Sequence, residues 1–352
     1  MRIYMDINVN KAELNRNIKK TYIRYAITTG VLLIIYWMAL LLIQKGIMDN
    51  YTLRIVKQIG IFMIAALGLN LILGFTGQLT MGHAAFMSIG AYGSAVMTQN
   101  FNMPFAVSLV MGTVLSCIMA ALIGYPILRL KGDYLAICTL GFGEIVKVII
   151  QNIDYVGGAR GMTSIPTKSS LLIIFLCVAG CYALLKNLLH SSKGRAIMSV
   201  REDEIAAEAM GINTTKYKMM AFIIGSGMAG LAGGLYAHFN TFIDPVTFNF
   251  SKSFELITYV VLGGMGSISG TVLGTSILIF LPESLRGLSD VLKENRMLIY
   301  AFLLVVMMIF RPDGILGSRE ITVKGIKTSI KKLLSKKNSS NKSDKSETKV
   351  GV

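Results

Sequence analysis

Residues Gly74–Val96 read GFTGQLTMGHAAFMSIGAYGSAV, an apolar stretch that carries five glycines and several small polar side chains. A plain helix in contact with lipid needs neither feature. Glycine-rich, interrupted segments occur in membrane proteins where the backbone lines a cavity or where helices pack very closely. The stretch therefore predicts a membrane protein that moves something across the bilayer.

The composition of the whole chain agrees with a membrane protein. Of its 352 residues, 53% are hydrophobic and 15% are charged, whereas a soluble domain has about 25% charged residues. The formal net charge is +16, but the positive side chains concentrate at the chain ends and in residues 190–218. That distribution is typical of cytoplasmic loops and of attraction to anionic lipid headgroups, so we expect membrane lipid, and no nucleic acid, as a partner.

Several kinds of chemistry are excluded by missing motifs. The sequence has no glycine-rich phosphate loop, no nucleophile elbow and no metal-binding motif. Its cysteines lie inside apolar runs without metal-ligand spacing and are interpreted as buried structural side chains: Cys117, Cys138, Cys177 and Cys181. We expect no catalytic residue, no metal and no cofactor in this chain, so any ATP that drives it must be hydrolysed by partner subunits.

Nine hydrophobic segments approach the length of about 20 apolar residues that a bilayer crossing requires. They are Tyr25–Ile43, Ile55–Leu73, Leu79–Thr98, Phe105–Leu128, Tyr134–Ile150, Leu171–Leu189, Met219–Phe239, Phe254–Leu281 and Met297–Phe310. The sequence therefore predicts an all-α, polytopic bundle of about eight to ten membrane-embedded helices, some of them broken or re-entrant.

The basic residues orient these segments and reveal a conflict. Residues 1–24, residues 190–218 and the nine lysines from Lys324 onward are all expected on the cytoplasmic side. Three crossings after the 190–218 loop would instead leave the C-terminus outside. We therefore predict that Phe254–Leu281, which is too long for one crossing and is interrupted by glycines, folds back as a broken hairpin.

Three regions follow from this organisation. Residues 1–24 form a basic cytoplasmic segment, and residues 25–317 form a transmembrane domain that contains the cytoplasmic loop 190–218. Residues 318–352 form a lysine-rich cytoplasmic tail that has too little apolar surface to fold by itself.

Glycines mark the predicted helix breaks and close packing contacts. The candidates are Gly74, Gly77, Gly82, Gly263, Gly264, Gly266 and Gly270. The first three make Gly74–Thr98 a second candidate for a re-entrant segment. Other small residues recur every four positions: Gly225, Ala229 and Gly233; Gly230 and Gly234; Gly266, Gly270 and Gly274. This spacing places small residues on one helix face, where they serve either a moving interface or ordinary tight packing.

Polar side chains within apolar segments are the candidates for the transport path. They are Asn70, Gln78, Thr80 and Glu144. Polar groups at membrane depth are costly and suggest a functional site. However, Lys147 follows Glu144 by three residues on the same helix face, so a local ion pair is the alternative. His83 is interpreted as a packed, hydrogen-bonded structural residue.

One hydrophilic loop, GRAIMSVREDEIAAEAMGINTTKYKMMAF over Gly194–Phe222, separates two spans. Within it, a strong helix-forming run begins at Asp203 or Glu204 and ends at Met210. Gly211 then occupies the position where a left-handed residue closes a helix. A short helix of this kind either inserts into a groove on a partner or merely connects two spans.

Five segments of the sequence resemble branched-chain amino-acid ABC-transporter permeases. They are GLNLILGFTGQLTMGHAAFMSIGAYGSAV, LKGDYLAICTLGFGEIVKVIIQN, the VGGARGM loop, GRAIMSVREDEIAAEAMGI and VLGGMGSISGTVLG. The resemblance runs from about Ile55 to Gly317, and GDYLAICTLGFGEI is more similar to the M-type subunit than to its H-type partner.

The resemblance implies a role for the cytoplasmic helix and a set of partners. Glu204, Ala206, Ala207 and Gly211 are similar to the family's EAA-type motif, which docks into a cytoplasmic ATPase, although the leucine-proline pair of other importer classes is absent. The implied partners are a second homologous permease, two ATPase subunits and an extracytoplasmic substrate-binding protein. The chain would form half of a pathway for leucine, isoleucine and valine in the bacterial plasma membrane.

Two alternatives remain open. Urea and short-chain amide ABC permeases are similar in the Gly74–Val96 region, and the binding protein largely decides the substrate in this class. A stand-alone secondary transporter, in which Glu144 carries an ion or a proton, belongs to a different class.

Overall fold

The computed structural model describes residues 50–130, 132–285, 296–311 and 314–317. The predictions for residues 1–24, for the first hydrophobic segment Tyr25–Ile43 and for the tail 318–352 lie outside the described residues. Within them the chain is helical apart from its connections and a single β-bridge between Met162 and Ile243, which confirms the all-α prediction.

The helices are labelled in chain order. They are α1 Asn50–Asn70, α2 His83–Gln99, α3 Phe105–Ile127, α4 Asp133–Gln151, α5 Leu171–His190, α6 Ser192–Glu202, α7 Glu204–Ala209, α8 Thr214–Asn240, α9 Phe250–Gly263, α10 Ile268–Leu285 and α11 Arg296–Phe310. A π-helical turn, Leu71–Phe75, extends α1. Because α1 with its extension, α3, α5 and α8 are long and apolar enough to cross a membrane, the polytopic prediction is confirmed.

The centre of the bundle is built from α1, α2, α3 and α8, whose small residues allow the backbones to touch. A Cβ atom built on Gly90 would lie 2.1 Å from the carbonyl oxygen of Gly230, and one built on Gly233 would lie 1.8 Å from that of Met87. The stripes of small residues on α8 are therefore sites of close packing, in which a methyl group has no room.

The broken hairpin predicted for Phe254–Leu281 is present. Helix α9 ends at Gly263, and α10 begins at Ile268. A Cβ atom built on Gly263 would lie 2.4 Å from the carbonyl oxygen of Gly270, and one built on Gly274 would lie 2.7 Å from the amide nitrogen of Gly263. The two helices therefore pack through glycines immediately beside the break.

Contacts with α1 establish the direction of α10. The Tyr51 hydroxyl, at the start of α1, donates a hydrogen bond to Glu283 near the end of α10. Asn70, at the end of α1, contacts Ser267 just before α10. Helix α10 therefore runs antiparallel to α1, and the α9–α10 break lies beside the C-terminal end of α1.

The chain returns to this same end after α11. The amide of Ile315 donates to the carbonyl of Leu262, with an N–O distance of 2.8 Å. Residues 314–317 thus lie beside the α9–α10 break. This arrangement is compatible with a C-terminus on the side of the 190–218 loop, and the cytoplasmic location of both stays a prediction.

The predicted span Leu79–Thr98 begins too early, because the helix starts at His83 and residues 76–82 are not helical. The Met81 amide donates to the Thr139 hydroxyl at 2.9 Å, and His83 Nε2 donates to the Ala65 carbonyl at 3.0 Å. Ala65 lies about 15 Å before the end of the π-turn along the helix axis. Residues 76–82 therefore reverse direction and run antiparallel beside the C-terminal part of α1.

Candidate functional site

The two interrupted segments meet at Asn70. Its side-chain amide nitrogen donates to the Ser267 carbonyl at 3.1 Å and to the Thr271 hydroxyl at 2.8 Å. Its Oδ1 accepts a hydrogen bond from the Gly266 amide at 2.9 Å. A Cβ atom built on Gly74 would lie 2.4 Å from the Gly266 nitrogen. The end of α1 is thus fastened to the α9–α10 break.

Residues 70–78 and 264–267 together are named the break junction. Its turn requires glycine, because Gly264 has a φ of 117° and Gly266 a φ of 82°, a region that L side chains rarely adopt. A Cβ atom built on Gly264 would also lie 2.5 Å from the Gly317 carbonyl oxygen. The junction is therefore restricted both by backbone conformation and by space.

The predicted path residues fall into different environments. Asn70 is 1% exposed and uses its amide within the break junction. Gln78 is 4% exposed, and its side-chain amide makes no hydrogen bond to the part of the chain that the structure describes. The same holds for the hydroxyl of buried Thr80. Gln78 is the predicted path residue with an unused buried amide.

Gln78 lines a cavity of about 290 Å³ at the break junction. Residues 76–79 form one wall, the start of α4 forms another, and residues 200–204 form a third. Glu144 lies about 16 Å further along α4 than Asp133, which borders the cavity, and it is half-buried and paired with Lys147. Glu144 therefore does not line the cavity beside Gln78.

The predicted coupling helix is α7, which is capped at both ends. Asp203 Oδ1 accepts hydrogen bonds from the amides of Ile205 and Ala206 at 2.9 and 3.0 Å. At the other end, the Gly211 amide donates to the carbonyl of Glu208 at 2.9 Å, and the next amide donates to the carbonyl of Ala207 at 3.0 Å. This is a Schellman motif, and Gly211 has the positive φ, 80°, that it requires.

Side chains also fix α7 to the start of α8. Glu204 pairs with Lys218 at 2.7 Å, and Glu208 accepts a hydrogen bond from Thr214 at 2.6 Å. Ala207 is buried beneath the helix, and Ala206 is exposed. The outward side carries large apolar side chains: Ile205 is 78% exposed, and Met210, which ends the helix, is 82% exposed. A rigid helix that presents apolar side chains to solvent is suited to binding another protein.

Comparison with known proteins identifies the family of this chain. Residues 51–308 match the family described as branched-chain amino acid transport system / permease component. The chain belongs to this permease family. It is 33% identical over 310 residues to the high-affinity branched-chain amino acid transport system permease protein LivM of Salmonella typhimurium, covering 78% of this chain and 71% of that protein.

More distant members of the permease family match over similar lengths. The probable LivM permease of Methanocaldococcus jannaschii is 23% identical over 79% of this chain and 96% of that protein. The LivH permease of Salmonella typhimurium is 25% identical over 74% of this chain and 92% of that protein. Among solved structures, PsaBC from Streptococcus pneumoniae in complex with Fab has 14% sequence identity and a TM-score of 0.42, covering 76% of this chain and 94% of that chain. That overlap is too weak to support a function.

Two residues of the 190–218 loop have a structural role that the sequence did not indicate. Asp203 was one of two alternative helix starts, and the structure makes it the residue that caps α7. In the sequence, Arg201 is only one of the positive charges of the 190–218 loop, whereas in the structure it lies against residues 77 and 266. Nothing in one sequence signals such a contact, because both neighbours are distant along the chain.

Proposed function

We propose that this chain forms half of the translocation pathway of an ATP-driven importer of branched-chain amino acids in the bacterial plasma membrane. Its membership of the permease family supports this role. Its identity of 33% to LivM of Salmonella typhimurium, against 25% to LivH of the same organism, favours the M-type subunit. The proposed partners are an H-type permease, two cytoplasmic ATPase subunits and an extracytoplasmic binding protein.

The observation that carries the proposal is the construction of α7. This helix is closed at both ends, is fixed to α8 by Glu204 and Glu208, and presents Ile205 and Met210 to solvent. It lies at the same end of the bundle as the break junction. We infer that an ATPase groove receives α7, so that closure of the ATPase pair on ATP moves the helix.

The interrupted segments supply a suitable path for an amino acid. Backbone groups of residues 76–82 and the buried amide of Gln78 offer hydrogen bonds to a zwitterion, whereas the surrounding helices offer apolar walls. Irregular backbone at membrane depth is tolerated where it lines a cavity. In this proposal the substrate passes along residues 76–82, and Asn70 holds the path in place without touching the substrate.

Reconstitution of the complete complex in vesicles tests this function. We expect labelled leucine and valine to enter when the binding protein is outside and ATP is on the ATPase side, and we expect a proton ionophore to leave uptake unchanged. Uptake of labelled urea is measured in parallel as the alternative substrate.

Each alternative makes a different prediction in the same assay. Transport of urea, with no uptake of leucine, would replace the amino-acid assignment with the urea or amide class. Uptake that needs a proton gradient instead of ATP would support a secondary transporter.

A further inference from the structure

We propose that Arg201 is the positioning residue that carries the movement of α7 into the break junction. The proposal rests on the coupling role of α7 given above and adds a residue that transmits the movement. It has three parts: α6 and α7 move together, Arg201 contacts both interrupted segments, and those segments are fastened to each other.

Helices α6 and α7 form one mechanical unit. Asp203 alone separates them, and its side chain caps α7. Helix α6 packs closely on the bundle, because Ile197 and Val200 are buried and because a Cβ atom built on Gly194 would lie 2.5 Å from the Leu189 Cα atom of α5. A displacement of α7 therefore reaches the C-terminal turn of α6, where Arg201 is the last residue but one.

Arg201 lies over both breaks at once. A Cβ atom built on Gly77 would lie 3.3 Å from Arg201 Cγ and 3.7 Å from its Cα. A Cβ atom built on Gly266 would lie 2.5 Å from Nη1 of the same guanidinium. The stem of the arginine thus packs on the first interrupted segment, and its charged end packs on the second.

The two breaks respond together because they are joined independently of Arg201. Asn70 hydrogen-bonds to both sides of the junction, and Gly74 packs against the Gly266 amide. Lys218 offers a second route from α7, through its ion pair with Glu204 to α8. Loss of the Arg201 side chain would leave that route and the docking surface intact, so the two routes are separable by experiment.

The first experiment compares Arg201→Ala with Arg195→Ala, a matched change of an exposed arginine on the same helix. In the reconstituted complex we expect Arg201→Ala to keep ATPase binding and ATP hydrolysis within about twofold, while leucine uptake per ATP falls about tenfold or more. Arg195→Ala should leave that ratio unchanged. Arg201→Lys keeps the aliphatic part of the side chain and loses the planar guanidinium, so its uptake per ATP should lie between those of the wild type and Arg201→Ala.

The second experiment restores the lost contact covalently. The Cβ position of Gly77 lies 3.8 Å from Arg201 Cβ, within the range of about 3.5–4.5 Å that a disulfide spans. In a background that lacks the native cysteines, Arg201→Cys alone should uncouple uptake from hydrolysis. When it is combined with Gly77→Cys, oxidation should restore uptake per ATP, and a reductant should abolish it again. Gly77→Cys alone controls for strain at the positive φ of that position.

The outcomes separate this proposal from the proposed function. A wild-type complex that takes up no leucine with ATP contradicts the proposed function itself. With an active wild type, a normal uptake ratio in Arg201→Ala overturns the role of Arg201. So does a disulfide that fails to form, or one that forms without restoring coupling.

Discussion

Glycines at the centre of the bundle and glycines at the end that carries α7 are needed for different reasons. Gly233 lies inside the regular helix α8, yet a Cβ atom there would lie 1.8 Å from the Met87 carbonyl oxygen. Gly211, after α7, has a φ of 80° and no atom within 4 Å of its Cβ position among the described residues. Gly264 combines both restrictions. Glycine is needed at position 233 because a methyl group has no room there, and at position 211 because the backbone has a positive φ. At the break junction both reasons apply.

This difference predicts how each part of the molecule responds to substitution. Backbone contacts between α8 and α2 lock two regular helices together, because a packed interior has no alternative arrangement of similar energy. Positive-φ glycines instead end helices and allow the chain to change direction. We therefore expect the centre to tolerate substitution least, and we expect substitutions at the end that carries α7 to impair function before they impair folding.

The largest effect is expected at the centre. Gly233→Ala would force α2 and α8 apart and should lower the free energy of unfolding by about 3 kcal/mol, measured as thermal unfolding in detergent. Gly180→Ala in α5 is the matched control, because its Cβ position meets no atom within 4 Å among the described residues. That change should stabilise the helix by up to about 1 kcal/mol. Equal stability of the two variants would contradict the tight crossing.

A smaller loss of stability is expected at the break junction. Asn70→Ala removes three hydrogen bonds and leaves the Gly266 amide without its acceptor, which should cost about 2 kcal/mol. Protease sensitivity near residue 266 and thermal unfolding measure the change. Asn152→Ala, at an exposed position, should shift stability by less than about 0.5 kcal/mol. An Asn70 variant as stable as this control would show that the junction is held by other contacts.

The sequence was sufficient for features that depend on local residues. The bounds of α7, its closing Gly211 and the break after Gly263 follow from propensity and from glycine placement. Among the described helices, α3, α4, α5 and α11 agree with their hydrophobic segments within one residue. The contact of Asn70 with Gly266 could not be predicted from the sequence, because it joins residues that are far apart along the chain. For the same reason, the sequence did not indicate which polar residue faces the cavity or that Arg201 contacts both breaks.

A still smaller effect on stability is expected at Gly211, where conformation acts without crowding. Gly211→Val should disfavour the left-handed end of α7 by about 1–2 kcal/mol, leaving membrane insertion intact and weakening ATPase capture about tenfold. Gly211→Asn is the matched control, since asparagine tolerates positive φ better than valine does. Normal capture of the ATPase by the valine variant would contradict the docking role of α7.

The smallest effect is expected at Glu144, whose environment differs from that of Asn70. Asn70 is buried and joins distant segments, whereas Glu144 is half-buried and pairs with Lys147 in its own helix. A pair of this kind contributes about 0.5 kcal/mol, so Glu144→Gln should change leucine uptake by less than about twofold. The double variant Glu144→Gln/Lys147→Gln, which removes both charges, should behave like the single one. A large loss of uptake at normal expression would instead place Glu144 on the transport path, because a paired side chain outside the cavity has no other means of stopping transport.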